Sequence, residues 1–290
     1  MTARDKWINW SLFVLLALIW GSSFILMKIG QTELNGMEIG SIRILSAGIV
    51  FLPFALFHFR HFTAKKLGLI FISGLLGNLL PAFCFAAAID KIDSSLEGIL
   101  NSLTPLFVII VGALFFGMKL ERLKVAGVLV GFVGLVLLSL YSGFNASSFG
   151  YAALVLLATL FYGINVNLVN RYLRGHNPVQ MATVSLTMVS VPAAIIAAQQ
   201  HVFSTLLYNE SARLAIGASA LLGIVGSAIA TALFYLLIKR SGALFASLVT
   251  YAIPVVAICW GLLDGEAITW VQVACLGVIL GGVYLVNKKS

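Results

Sequence analysis

Two charged side chains interrupt stretches that are otherwise apolar: Arg43, in SIRILSAGIVFLP at 41–53, and Glu97, in SLEGILNSLTPLFVIIVGALFFG at 95–117. A charge at the centre of a membrane helix costs about 2.5–3.5 kcal/mol on insertion scales, so both are expected to face an interior rather than lipid. Each lies a few residues inside the same end of its run, at similar depth. A guanidinium and a carboxylate so placed can gate a cavity, or bind the carboxylate and amine of a zwitterionic solute. They can equally form a fixed ion pair tying two helices together, or snorkel independently to the interface. Apart from Glu38 at the very edge of its run, Glu97 is the only acidic side chain within a span, and His58, His61, His176 and His201 fall in or beside loops, so any proton coupling would rest on Glu97.

Nearer the middle of the apolar runs the polar groups are uncharged: Trp20, Asn78, Asn101, Thr104, Tyr162, Asn165, Ser227, Thr231, Thr250 and Tyr251. Hydrogen-bonding groups among aromatic walls suit a small amphiphilic solute, so Trp20, Asn78, Asn101, Thr104, Tyr162, Asn165, Thr231, Thr250 and Tyr251 are candidate substrate-binding residues. Serine and threonine also have a structural use, bonding a carbonyl one turn back in their own helix. A buried asparagine needs several partners, which a neighbouring helix can supply as well as a solute. Pro105 and Pro254 each remove a backbone donor and free the carbonyl about a turn earlier, that of Asn101 and that of Thr250. Such helix breaks supply ligands or hinges in transporters, and kinks filled by neighbouring side chains elsewhere.

Several chemistries have no residues to carry them. The chain has no GxxxxGK[ST] phosphate loop, no HExxH or GxSxG, and no paired carboxylates at mid-span, so an enzyme or an ATP-driven pump is not expected. Cys84, Cys259 and Cys275 sit singly in apolar runs without Cys/His spacing, which points to packing rather than a metal site or disulfides. No cofactor, no metal and no nucleic-acid partner is expected.

The elements that must position these groups follow from composition. Of the 290 residues 61% are hydrophobic and only 10% charged, with mean hydropathy +1.06, far from soluble domains. The chain therefore reads as an all-α integral membrane protein whose partners are the lipid bilayer and a small-molecule substrate. Runs long enough to cross about 30 Å of hydrocarbon occur at roughly 10–30, 38–58, 67–89, 95–117, 122–141, 149–170, 179–199, 214–237, 243–263 and 268–286. These are ten expected transmembrane helices joined by short linkers. The first run continues without a small-residue cleavage site and is expected to be a retained helix rather than a signal peptide.

The net charge of +8 is read through topology. With both termini cytoplasmic, the inner side holds Arg4, Lys6, Arg60, Lys65, Lys66, Lys119, Arg122, Lys124, Arg171, Arg174, Lys239, Arg240, Lys288 and Lys289, and the outer side only Lys28, Lys91 and Arg213. The positive-inside rule therefore favours N and C termini in the cytoplasm. Acidic residues lean outward, with Glu33, Glu38, Asp90, Asp93, Glu210, Asp264 and Glu266 against Asp5 and Glu121 inside.

The chain also resembles itself. Pro105 and Gly112 fall on Pro254 and Gly261 at an offset of 149, and Trp20-Gly21 and Asn35-Gly36 fall on Tyr162-Gly163 and Asn177-Pro178 at an offset of 142. Two five-helix halves, 1–145 and 146–290, are expected. An odd number of spans per half makes the second enter the membrane from the opposite face, an inverted repeat suited to alternating access. Gly127, Gly131, Gly134, Gly277, Gly281 and Gly282 permit close helix approach, within a monomer or across a homodimer face.

These residues resemble the EamA-type family of the drug/metabolite transporter superfamily over nearly the whole chain. The resemblance lies in ALIWGSSFILMK at 17–28, in the Arg43 and Glu97 segments, and in LVTYAIPVVAICWGLLDGEAITWVQV at 248–273. The family pattern of Pro, Gly-Glu and Gln is complete in the second half as Pro254, Gly265-Glu266 and Gln272. The first half departs from it, with Met118 in place of the glutamate and Lys124 in place of the glutamine. The resemblance implies ten helices in two inverted repeats and a secondary transporter of the bacterial inner membrane, exporting amino acids or related compounds. A multidrug or lipid-linked-intermediate translocator is the alternative in the same superfamily. An intramembrane enzyme or a sensor scaffold fits less well, given the missing catalytic groups and soluble domains.

Overall fold

A computed structural model describes residues 3–89, 91–118, 122–141 and 146–287. Asp90, Lys119, Glu121, Lys288 and Lys289 of the charge count, and Asn145 at the expected boundary between halves, lie outside the described residues. Among those residues the chain is helical and without strands.

Among the described residues eight helices are long and apolar enough to cross a membrane: α1 Arg4–Gly30, α2 Gly36–His61, α3 Ala64–Ala88, α4 Leu96–Phe116, α6 Phe149–Leu173, α7 Pro178–Gln199, α8 Arg213–Ala243 and α9 Phe245–Leu263. Two more helices, α5 Arg122–Tyr141 and α10 Trp270–Asn287, pack against each other. A short helix, Val202–Tyr208, fills the longest linker. Large apolar side chains lie exposed on the outer faces, among them Leu114, Phe115, Leu263 and Trp270. In water such surface would drive association; in hydrocarbon it is the solvated side. The chain is a multi-pass helical membrane protein.

Local chemistry sets the helix starts. Asn35 caps α2, its Oδ1 accepting from Met37 N and Glu38 N, while Glu38 Oε2 accepts from Asn35 N at 2.8 Å, a closed capping box. Asn177 caps α7 in the same way, accepting from Val179 N and Gln180 N. The same residue type thus starts two helices 142 positions apart.

Several spans depart from α geometry near their middles. α3 widens into a π-helix at Leu75–Leu79 and α8 at Leu222–Ile229. α4 is interrupted between Asn101 and Thr104, α9 begins again at Val249 after a turn at Leu248, and α1 slips at Ser22. Pro105 stands at the first turn of the second piece of α4, where a missing N–H is cheap, whereas Pro254 lies inside α9, beyond its break.

Two of the apolar clusters lie toward opposite ends of the bundle. Phe24, Ile39, Phe85, Ile99, Leu100 and Ile253 belong to one; Leu16, Val108, Val169, Met181, Tyr235 and Leu237 belong to the other. Close helix approach is enforced where glycine faces backbone. A Cβ on Gly282 of α10 would lie 2.5 Å from Gly131 N and 2.6 Å from Gly127 O of α5. A Cβ on Gly277 or Gly281 would meet nothing within 4 Å outside its own helix backbone among the described residues.

Polar contacts collect at both ends. At one, Lys28 of α1 pairs with Asp264 and with Glu266 (3.1 Å), and Glu266 Oε1 accepts from Ser94 N (3.2 Å) and Ser94 Oγ (2.6 Å) at the start of α4. At the other, Arg240 donates to Asp5 (3.0 Å) and Asn9 (2.8 Å), Lys66 to the Tyr172 carbonyl (2.7 Å), and Arg171 to the Phe116 carbonyl (2.8 Å).

Candidate functional site

Where the two clusters meet, the interrupted helices leave a cavity of about 70 Å³, room for several water molecules. Eight of the nine candidate substrate-binding residues line it: Trp20, Asn78, Asn101, Thr104, Tyr162, Asn165, Thr231 and Thr250. Tyr251 does not. It follows Thr250 on the helix, about 100° around the axis, and its hydroxyl is buried among apolar groups without a hydrogen-bond partner.

The hydrogen bonds at the wall join the first half of the chain to the second. Trp20 Nε1 donates to the Gly226 carbonyl (3.0 Å), and Thr231 Oγ1 to Asn78 Oδ1 (2.8 Å). Ser73 Oγ donates to Asn165 Oδ1 (2.6 Å) and lies 2.8 Å from the Tyr235 hydroxyl. The π-helical turns of α3 and α8 carry Asn78 and Gly226, which fits the frequent placement of such turns at functional sites. A Cβ at Gly77 would collide with the Asn165 amide, so this glycine lets α3 approach α6. Asn78 Nδ2 is buried and has no hydrogen-bond partner within the protein.

Thr104 Oγ1 donates to the Asn101 carbonyl at 2.8 Å, so the acceptor that Pro105 frees is occupied from within α4. Thr250 Oγ1 bonds the Ser247 carbonyl at 2.8 Å. Both threonines therefore serve their own helix while also facing the cavity.

Aromatic rings make the remaining wall. Phe85 stacks on Tyr162 at 6.0 Å and 27°, Phe24 meets Phe85 edge-on at 6.0 Å, and Trp20 meets Phe234 edge-on at 5.1 Å. Offset and edge contacts of this kind are the favoured arrangements.

Arg43 lines the cavity and Glu97 does not. Arg43 Nε donates to Ser227 Oγ on α8 at 2.8 Å. Glu97 is fully buried and neither of its oxygens has a hydrogen-bond partner. The two are near enough to feel each other's charge, but no ion pair joins them.

Sequence reasoning missed Ser23, Phe24, Met27, Phe85, Phe234 and Tyr235 among the lining residues. A signal for two sets was present. Trp20, Ser23 and Met27 follow helical spacing, as do Thr231 and Tyr235, so one cavity-facing residue on each helix points to the next.

A largely apolar, aromatic-walled cavity with a few hydrogen-bonding groups, buried within a bundle of membrane-length helices, has the form that small-molecule sites take in helical membrane proteins. The chain belongs to the EamA-like transporter family, whose sequence pattern matches residues 8–140 and again residues 149–288; membership in the drug/metabolite transporter superfamily follows. Among its relatives is an uncharacterized transporter of Archaeoglobus fulgidus, 27% identical over 97% of this chain and 99% of the relative. The uncharacterized inner membrane transporter YedA of Escherichia coli K12 is 29% identical over 94% of this chain and 88% of its own length. A probable amino-acid metabolite efflux pump of Salmonella typhimurium is 25% identical over 94% of this chain and 93% of its own. One protein of known crystal structure shares the fold, with a TM-score of 0.63 at 18% identity, over 99% of this chain and 98% of that one.

Proposed function

We propose that this protein is a secondary transporter that moves small metabolites, foremost amino acids or related compounds, by alternating access to the central cavity. The observation that carries this reading is the cavity itself. It lies between the two halves of the chain, is lined about equally from each, and is spanned by hydrogen bonds that a rocking motion would break and remake. Trp20, Asn78, Asn101, Thr104, Tyr162, Asn165, Thr231 and Thr250 would hold the substrate, with Arg43 receiving its carboxylate and Glu97 acting as gate or coupling group. Tyr251 would act only in another conformation.

Ten spans in two inverted repeats are part of the proposal. α5 and α10, 20 and 18 residues long, would reach about 30 and 27 Å at 1.5 Å per residue, enough to cross. The repeat is supported by the double family match and by duplicated irregularities: asparagine caps on α2 and α7, π-helical turns in α3 and α8, and breaks in α4 and α9. The proposed placement is the bacterial inner membrane, as YedA's name states for that relative, with cytoplasmic termini. Export of amino acids draws on the Salmonella relative's name and on the pairing of a guanidinium with aromatic walls.

The test is transport of labelled amino acids by purified protein in proteoliposomes, aromatic ones first, with metabolite profiles of cells that overproduce or lack the protein. Movement of at least one amino acid is expected. If amphiphilic dyes move and amino acids do not, the multidrug reading replaces this one. If nothing moves, transport itself is overturned.

A further inference from the structure

We propose that the solute held in the cavity is an organic anion, a carboxylate with an apolar or aromatic body and no ammonium group, gathered by a cationic collar below the cavity and expelled by the membrane potential. This rests on the transport reading above and narrows its substrate.

The cavity offers donors rather than acceptors. Among the described residues that line it, Arg43 alone is charged. Its hydrogen bond to Ser227 engages Nε, and its terminal nitrogens have no acceptor among the described residues. Asn78 Nδ2 is a further buried donor without a partner. The acceptors, by contrast, are taken. Asn78 Oδ1 accepts from Thr231, Asn165 Oδ1 from Ser73, the Asn101 carbonyl from Thr104 and the Gly226 carbonyl from Trp20. A carboxylate entering here meets a guanidinium that it can neutralise through paired bonds. An ammonium finds no carboxylate and only oxygens that already accept, and a charge buried so is costly. Stacking of Phe85 on Tyr162 covers one face of each ring, which reduces what the wall offers an ammonium by cation–π contact. A zwitterion would satisfy one end alone. An N-acyl or 2-oxo acid satisfies its single charge and gives its body to the rings.

The same asymmetry continues along the bundle. Ser73, Asn165 and Tyr235 are bonded together on α3, α6 and α8 at the cavity wall. Lys66 lies seven residues from Ser73 on α3, Arg171 six from Asn165 on α6, and Lys239 four from Tyr235 on α8. That is about 6–11 Å further along, toward the end that the transport reading places in the cytoplasm. The cations interlock across these helices. Lys66 donates to the Tyr172 carbonyl (2.7 Å), Arg174 to that of Lys239 (3.3 Å) and Lys239 to that of His176 (3.3 Å). Burial and the charges of Lys66 and Lys239 hold the His176 ring below its ordinary pKa, which sets both lysines beside one ring. None of Lys66, Arg171, Arg174 and Lys239 has a carboxylate partner among the described residues, whereas Arg240 nearby pairs with Asp5. Carbonyl bonds hold these side chains in place without cancelling their charge. Topology asks for basic residues at this end; it does not ask that they be joined into one group at the foot of the three helices that close the cavity. Such a collar concentrates anions. The vestibule at the opposite end is mixed, with Lys28 and Lys91 against Asp93 and Glu266.

A solute with one negative charge needs no coupling ion to leave. In the proposed placement the potential is negative inside and drives an anion outward, about 50-fold in equilibrium concentration ratio at 100 mV. Arg43 stays with the protein, so one negative charge crosses in each cycle. A zwitterion carries no net charge and gains nothing from the potential.

The experiment compares phenylalanine with its anionic N-acetyl derivative and its cationic amide, using the whole protein. In the binding arm, N-acetylphenylalanine is expected to raise the melting temperature in detergent at concentrations about tenfold below those that phenylalanine needs, with the amide inactive. Arg43→Gln abolishes that difference, and Arg43→Lys keeps it at weaker affinity. In the transport arm, proteoliposomes held at 100 mV, negative inside, are expected to empty themselves of N-acetylphenylalanine toward a ratio of about 1:50, against protein-free vesicles as control. Phenylalanine moves more slowly and stops near equal concentrations. The double variant Lys66→Gln/Lys239→Gln raises KM for the anion several-fold at low salt, leaves kcat unchanged and loses much of the salt dependence. Phenylalanine binding or moving as well as its N-acetyl derivative overturns the anion assignment while transport stands. Stabilisation by the N-acetyl compound without movement of any probe keeps the anion site and overturns transport. If no probe binds or moves, both fall. Efflux that ignores the potential overturns the driving force, and an unchanged KM in the double variant removes the collar from the path. Melting curves verify that each variant is folded.

Discussion

The indole of Trp20, on the first span, donates to the carbonyl of Gly226, in the π-helical turn of α8, across 3.0 Å. A residue of the first half is thereby tied to the backbone of the second at the cavity wall. The acceptor stands in a tight place, where a Cβ would lie 3.0 Å from Leu222 Cδ1 and 3.2 Å from Ser23 Oγ and both side chains would have to give by a few tenths of an ångström. Contacts of this kind must be exchanged whenever the two halves move past each other.

Trp20→Phe keeps a ring against Phe234 and removes the donor. The expected loss is about 0.5–1.5 kcal/mol, seen as a lower melting temperature in detergent, with slower transport. Trp20→Ala also empties the wall and should cost about 3–5 kcal/mol. Equal melting of the two variants would show that the indole N–H, rather than the ring, carries the contact.

Ser227→Ala leaves the buried Arg43 without its acceptor. A hydrogen bond to a charged group contributes about 1.5–3 kcal/mol, and a loss of that size is expected in chemical denaturation. Arg43→Lys retains the charge but not the planar fork that holds a carboxylate by two bonds. It should raise KM for substrates with a free carboxylate and leave their amides less affected. The comparison of acid and amide in one transport assay checks this.

Gly261→Ala places a Cβ 2.6 Å from Glu266 Oε2 and should push that carboxylate off Ser94. The lost helix-start bond is expected to cost about 0.5–2 kcal/mol, no more than Glu266→Ala, which also removes the pair with Lys28. The double variant should cost no more than the larger single one, because both act on one contact. Additive losses in a thermal unfolding cycle would contradict the link.

Gly282→Val drives a side chain into the backbone of Gly131 and Gly127 and should cost about 1–3 kcal/mol by forcing α5 from α10. Gly281→Val, one residue on, points into open space and is expected to stay within about 0.5 kcal/mol. If Gly281 instead lies on a homodimer face, Gly281→Val lowers the oligomeric state in light scattering while the monomer's melting is kept.

Much of this protein is legible in its sequence because a bilayer is an unforgiving solvent. Backbone groups must be satisfied inside each span, so apolar length alone marks the helices, and Asn35 and Asn177 announce two of their starts. A polar side chain must find an interior, so the type of Trp20, Asn78, Asn101, Tyr162 and Asn165 was enough to place them together. What hydropathy does not contain is the rotation of each helix about its axis, which packing sets at about 100° per residue. That rotation decided that Thr250 faces the cavity and Tyr251 does not, and that Tyr235 joins the Ser73–Asn165 bonds. It turned Arg43 toward Ser227, across to the other half of the chain, and left Glu97 sealed among apolar side chains. Sequence could bring two opposite charges to the same depth; only the packed bundle determined that they do not meet.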